Sequence, residues 1–440
     1  MTQTARILSA LAVALAFALF GAGARVPDPA VGISLEQRQD GDWRVRYELG
    51  AAQKRLDLGP SLGGARARDW LVLTDGVALV SEKGRDYLVP SRRGAKLSQI
   101  DIAVAPRPNG LAKDYETAAP LGSGVVLYTG HFIPFTDKGR RSDALVDIRP
   151  RAGVAVSAFG ETRAQFKGWR SPFRHPAFIY VGPAPPRQGA AAVYADPSAP
   201  GWIRDELETL LPALFDWYAK ALGAPLDAPP DMFLAMGGAA EAGRLRYHGD
   251  ALPGQFMIAL SGGGWETPDN GARALLRRAT AHEAAHLWQS RARPAGADVP
   301  DWIHEGGADA LANEALDGIG LITPAEAEAA RIGARYECER ELSGLSLDQA
   351  ETAGRWRAVY ACGDALAVAA ARAENPQGSV AALWRDFVAA SADNRGYDLP
   401  LFLSLIEAKG GRDVAEGIRR FAFSRYAQPA RELAALAREE

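Results

Sequence analysis

The hydrophobic pattern changes period twice along the chain. After Arg6, Ile7–Phe20 is unbroken apolar sequence that ends in Gly21-Ala22-Gly23-Ala24. A basic start, a short apolar run and an A-x-A site predict a signal peptide over residues 1–24, cleaved after Ala24. That places the mature chain in the periplasm or outside the cell. The run is short for a span, which needs about 20 residues, so no stable membrane insertion is expected after cleavage.

Residues 25–185 then read with period two. Trp43, Val45, Tyr47 and Leu49 alternate with polar positions, and further short runs follow at Trp70–Leu73, Val77–Ser81, Tyr87–Pro90, Ile100–Val104, Val125–Tyr128, Ala144–Ile148 and Phe178–Val181. Turn residues separate them, which predicts an N-terminal antiparallel β-sandwich-like domain. Gly182–Gly189 is Pro-rich and reads as a linker.

Beyond it the period becomes helical. Trp202–Leu222 keeps an apolar stripe through Pro212, Asp231–Ala235 and Gln255–Leu260 read as strands, and Ala272–Arg291 reads as a helix capped by Asp269-Asn270. The last of the strands is expected at the sheet edge, where an extended peptide can add by backbone bonds. From Asp301 onward nearly everything is helical, with a capping box at Thr323-Pro324-Ala325-Glu326. The fold class is therefore α+β multidomain, divided as 25–185, 190–375 and a short C-terminal helical region, 376–440.

Composition narrows the partners. Lys+Arg 50 against Asp+Glu 53 gives a net charge of −3, so no basic footprint for nucleic acid or an anionic membrane is expected. Paired arginines such as Arg277-Arg278 read as solvated surface. No P-loop, dinucleotide fingerprint or C-x-x-C supports nucleotide or redox chemistry. The 440 residues contain only 6 His and 2 Cys.

That scarcity makes the run His282-Glu283-Ala284-Ala285-His286 informative. Residues four apart share a helix face, so both imidazoles can meet one ion while Glu283 stands beside an open coordination position. A catalytic zinc site wants a third protein ligand. The segment Asp301-Trp302-Ile303-His304-Glu305-Gly306-Gly307-Ala308-Asp309 offers His304 or Glu305, between which spacing does not decide. Asp309 lies on the Glu305 face and can fix a ligand histidine's tautomer from behind. His131, His175 and His248 are isolated and read as satisfied side chains.

His282 to His286, eighteen residues and then Glu305 resembles the H-E-x-x-H-x18-E signature of gluzincin zinc metallopeptidases, aminopeptidase-N-like and glycyl-aminopeptidase-like. Trp302-Ile303-His304-Glu305-Gly306 is similar to their W-L-N-E-G segment. The resemblance implies a thermolysin-like zinc peptidase core, one Zn2+ on His282, His286 and Glu305, Glu283 as general base and acid, and a peptide or protein substrate. Tyr360-Ala361-Cys362-Gly363 is similar to the family's Y-x-K-G, which implies that Tyr360 donates to the developing oxyanion. Where the aminopeptidases place an amine-binding glutamate, 27 residues before the first histidine, this chain has Gln255, taken as a substrate-binding position. A neutral amide does not pair an ammonium as a carboxylate does. Aminopeptidase-like action therefore has as alternatives an endopeptidase or oligopeptidase that ignores the N-terminus, or a silent zinc-stabilised binding protein. Glu266 is an acidic substitute further along. Cys338 and Cys362 sit in helices either side of Gly344–Gly354; a disulfide is expected there, contributing about 3 kcal/mol.

Overall fold

A computed structural model describes residues 31–438 except 108–113, 143, 173–175, 184–185, 238–242, 292–298, 374, 392–397 and 410. The expected signal segment and His175 lie outside the described residues. The alternating runs of the N-terminal part pair as expected, with Val31–Gln37 and Trp43–Gln53 side by side in a sheet of six strands and Gly124–Tyr128 and Phe178–Gly182 in a sheet of five. Inward positions such as Val45, Tyr47, Ile102, Ile148, Leu127 and Ile179 fill one buried cluster between them. One departure from antiparallel order is the pairing of Val31–Gln37 with Ala144–Arg149, which runs parallel.

The second part begins with the strand Ala192–Ala195 and builds a four-stranded sheet in the order Ala192–Ala195, Asp231–Met236, Gln255–Ser261, Arg246–Leu252. Here the strand expectation needs correction. Gln255–Ser261 is internal, and the edge belongs to Arg246–Leu252, whose exposed and half-buried residues carry no clean alternation. The two are joined by a tight Pro253-Gly254 turn in which Gly254 takes a φ of 73°, open to glycine and costly to other residues.

The helices are α1 (Ala65–Asp69), α2 (Gly201–Ala221), α3 (Asn270–Gln289), α4 (Asp301–Gly318), α5 (Pro324–Leu342), α6 (Leu347–Thr352), α7 (Trp356–Ala371), α8 (Val380–Ala390), α9 (Leu399–Ala408), α10 (Arg412–Phe423) and α11 (Pro429–Leu436). Asp269 caps α3 by accepting the Ala272 N–H at 2.8 Å, and Thr323 with Glu326 forms the expected capping box on α5. A single buried cluster runs from Ala191 through these helices to Leu433. Cys338 on α5 and Cys362 on α7 are joined by a disulfide, both fully buried.

The N-terminal and second parts meet along a seam of aromatic side chains, with Tyr128, Phe178 and Tyr180 against Tyr194 and Phe233. Gln255 is built into this seam. Fully buried, its side chain accepts the Phe178 N–H at 2.8 Å and donates to the Phe178 carbonyl at 2.8 Å and to Asp231 at 3.2 Å. All of its bonding capacity toward the fold is used internally, so the assignment of Gln255 to substrate binding is overturned. The physical reason is packing: the sheet face that carries Gln255 is covered by Phe178 of the N-terminal part.

Candidate metal centre

From Ala279 to Gln289 every residue of α3 is buried. A run of alanines makes that possible, since small side chains let a helix pass through an interior on all faces. His282 and His286 therefore project within the protein, and α4 comes alongside to supply the third group. His282 Nε2 lies 3.1 Å from His286 Nε2 and 3.3 Å from Glu305 Oε2, and the remaining side of the triangle is 3.4 Å. A tetrahedral centre with bonds of about 2.0–2.1 Å needs ligand separations of about 3.3–3.4 Å. The spacing fits one zinc-sized ion.

The hydrogen bonds behind the triangle show what charge it wants. His282 Nδ1 donates to Asp309 Oδ1 at 3.0 Å. Gln289 donates its amide nitrogen to the His304 carbonyl at 3.0 Å, which turns its oxygen toward His286 Nδ1, 2.6 Å away. Both Nδ1 atoms are thus donors, and both Nε2 lone pairs face each other and a carboxylate. Three acceptor atoms converging on one point are satisfied by a cation. Burial works against charge on His282, but the bonds to Asp309 and Glu305 outweigh it and raise the imidazole to about 10, a sign of how strongly the cluster attracts positive charge. Burial holds His286 below its ordinary value.

Glu305 brings a donor atom to the cluster; His304 does not. Its ring instead stacks on His286, centroids 4.3 Å apart. Adjacent residues on a helix point about 100° apart, so the crossing of α3 and α4 chooses between them. That crossing is tied to α7 by glycine. Gly306 and Gly363 stand backbone against backbone, and a Cβ on Gly363 would overlap the Trp302 carbonyl. The same approach brings Tyr360 to the site, its ring 5.6 Å from that of His282 and its hydroxyl bonded to Glu305. Burial, then the Glu305 and Glu283 charges, push the phenol well above its ordinary value, so it remains a donor.

Glu283 is buried beside the metal donors, under the edge strand Arg246–Leu252. A Cβ at Gly249 would overlap its carboxylate, so glycine lets the strand lie against Glu283 with that side chain in place. His248 lies on this strand, bonded to Asp250 at 3.1 Å. His131 is buried between Thr117 and Asp114, and Glu266 is exposed at the end of the turn Gly263–Glu266. Two groups escaped the sequence reading. Gln289 sits three residues after His286, a helical spacing that brings side chains together. Arg278, exposed as expected, also reaches Asp309 at 3.4 Å, and Arg277 bonds Glu206 at 2.6 Å.

Two histidines and one glutamate converge on a point where a metal ion could be held, with a second carboxylate buried beside them. No family model and no curated protein sequence matches the chain. Solved structures do. An aminopeptidase N family protein from Idiomarina loihiensis superposes with a TM-score of 0.61 over 92% of this chain and 78% of its own, at 10% identity. Yeast LTA4 hydrolase, solved in complex with bestatin, gives 0.54 over 92% and 71%, at 12% identity. The chain thus has the fold of the aminopeptidase N family, a mixed α+β architecture with a sheet-rich N-terminal part and a helical C-terminal part.

Proposed function

We propose that the chain is an exported zinc-dependent peptidase of aminopeptidase-like architecture. The observation that carries the reading is the convergence of His282, His286 and Glu305, with Glu283 and Tyr360 on its flanks. His282, His286 and Glu305 would hold the zinc ion, which when bound would supply a Lewis acid for a carbonyl oxygen and for water. Glu283 takes the proton from the attacking water and passes it to the leaving nitrogen. Its low exposure keeps bulk water from competing for that proton. Tyr360 donates to the oxygen that gains charge once its hydroxyl turns from Glu305 to that oxygen. The edge strand Arg246–Leu252 offers its outer side to an extended peptide, and Gly249 lets that peptide lie close over Glu283.

The burial of Gln255 favours a second reading of end-specificity. Among the described residues of the edge strand the one carboxylate, Asp250, is bonded to His248. An endopeptidase or oligopeptidase needs no amine anchor. Peptide hydrolysis by the zinc-loaded protein, lost on chelation and restored by zinc, is the expected result; no turnover at stoichiometric zinc would leave the silent binding protein instead. Comparing a free peptide with its N-acetylated form separates the other two, since indifference to acetylation selects the endopeptidase.

Export is supported by the apolar run before Ala24 and by the Cys338–Cys362 bridge, which suits an oxidising compartment. Among the described residues no helix is long and apolar enough to cross a membrane. N-terminal sequencing of the exported protein is expected to begin at Arg25, and a chain still starting at Met1 would refute cleavage.

A further inference from the structure

One helical turn from His282, Asp309 and Tyr360, three helices line a cavity of about 490 Å³. Arg278 stands one turn before His282 on α3, Asn313 one turn past Asp309 on α4, and Asp364 one turn past Tyr360 on α7. Residues a turn apart share a helix face and are about 5.4 Å apart along the axis. The cavity therefore begins about one helical turn from His282 and Tyr360, a distance that a long side chain spans.

Its charges are unevenly satisfied. Arg273 and Arg277 both bond Glu206, Arg278 bonds Asp309, and Glu326 is engaged with Thr323 in the cap of α5. Asp364 is different. Its residue is 3% exposed and its Oδ1 has no hydrogen-bond partner. Arg331, the other cation that acts on it, bonds Glu328 at 3.1 Å. Burial, and next the Asp309 charge, push the Asp364 carboxyl up to about 7, against the pull of Arg278 and Arg331. A buried carboxylate left in this state is costly, and a cation brought to it recovers that cost. Leu316, Leu321 and Ile322 complete the wall, apolar surface of the kind that the aliphatic stem of a lysine or arginine covers.

We propose that this cavity is a side-chain subsite in which Asp364 selects a basic residue, lysine or arginine, beside the scissile bond. The proposal rests on the peptidase reading and deepens it by naming the substrate class. Selection arises because a site with an unpaired buried polar group discriminates strongly against a ligand that leaves it unpaired.

Calorimetry separates the two readings, because binding can be measured without turnover. The zinc-loaded Glu283→Gln protein is titrated with peptide pairs identical except for Arg or Met, placed in turn on each side of the target bond. The Arg peptide is expected to bind at least tenfold more tightly on one side. Adding Asp364→Asn, or Asn313→Lys to place a resident cation in the cavity, is expected to erase the preference; the second variant covers a folding failure of the first. Equal affinity for Arg and Met on both sides, or a preference surviving both variants, overturns the subsite. An Arg preference in a wild-type protein that hydrolyses no peptide upholds the subsite and sinks the peptidase reading alone.

Discussion

Replacing Glu283 by glutamine is expected to lower kcat for peptide hydrolysis by roughly 10³-fold, within the span general bases usually contribute, while the protein still takes up zinc. Glutamine keeps the shape that fills the space beneath Gly249 and removes only the ability to accept a proton. The three donor atoms belong to His282, His286 and Glu305, so metal affinity is left nearly intact. The measurement is kcat on one peptide, set beside zinc content by atomic absorption. Equal rates in the two proteins would contradict the assignment of Glu283 as base, and loss of zinc would show that Glu283 holds the metal rather than the proton.

The second large effect concerns geometry rather than chemistry. Gly363→Ala is expected to destabilise the fold by about 3 kcal/mol, the upper part of the usual range for overpacking, and to lower kcat by about 10²-fold in the protein that still folds. A Cβ there would overlap the Trp302 carbonyl, and on the facing side Gly306 already touches the Gly363 backbone. Neither neighbour is a flexible side chain that can swing away, so α4 and α7 must separate. Glu305 rides on α4 and Tyr360 on α7, and a displacement near 1 Å in a catalytic group costs on that order. Thermal melting measures the first effect and kcat at a temperature well below the transition measures the second. A variant with native stability would show that the helices do not depend on this crossing.

Much of the site was legible because it is local. The pair His282 and His286 depends on helical period alone, as do the Asp269 cap, the Thr323–Glu326 capping box and the placement of Asp309 behind the metal donors. The strands of the N-terminal part were likewise readable, since alternation such as Trp43-Val45-Tyr47 reports a half-buried strand wherever it ends up. Composition made the metal motif more telling, because six histidines in 440 residues leave little room for accidental spacing.

What sequence could not determine depends on how separate elements meet. Glu305 rather than His304 reaches the triangle because α4 is seated between α3 and α7, its approach to α7 allowed by Gly306 and Gly363, which lie far apart in the chain. Gln255 became a clamp on Phe178 instead of a substrate contact because the sheet face that carries it is covered by the N-terminal part, and periodicity carries no information on what covers a face. The pairing of Arg278 with Asp309, and the open carboxylate of Asp364 a turn further on, arise from three helices sharing one buried face. Chain spacing determined which groups are chemically capable; helix and sheet packing, which rest on contacts distant in sequence, decided which of them face one another.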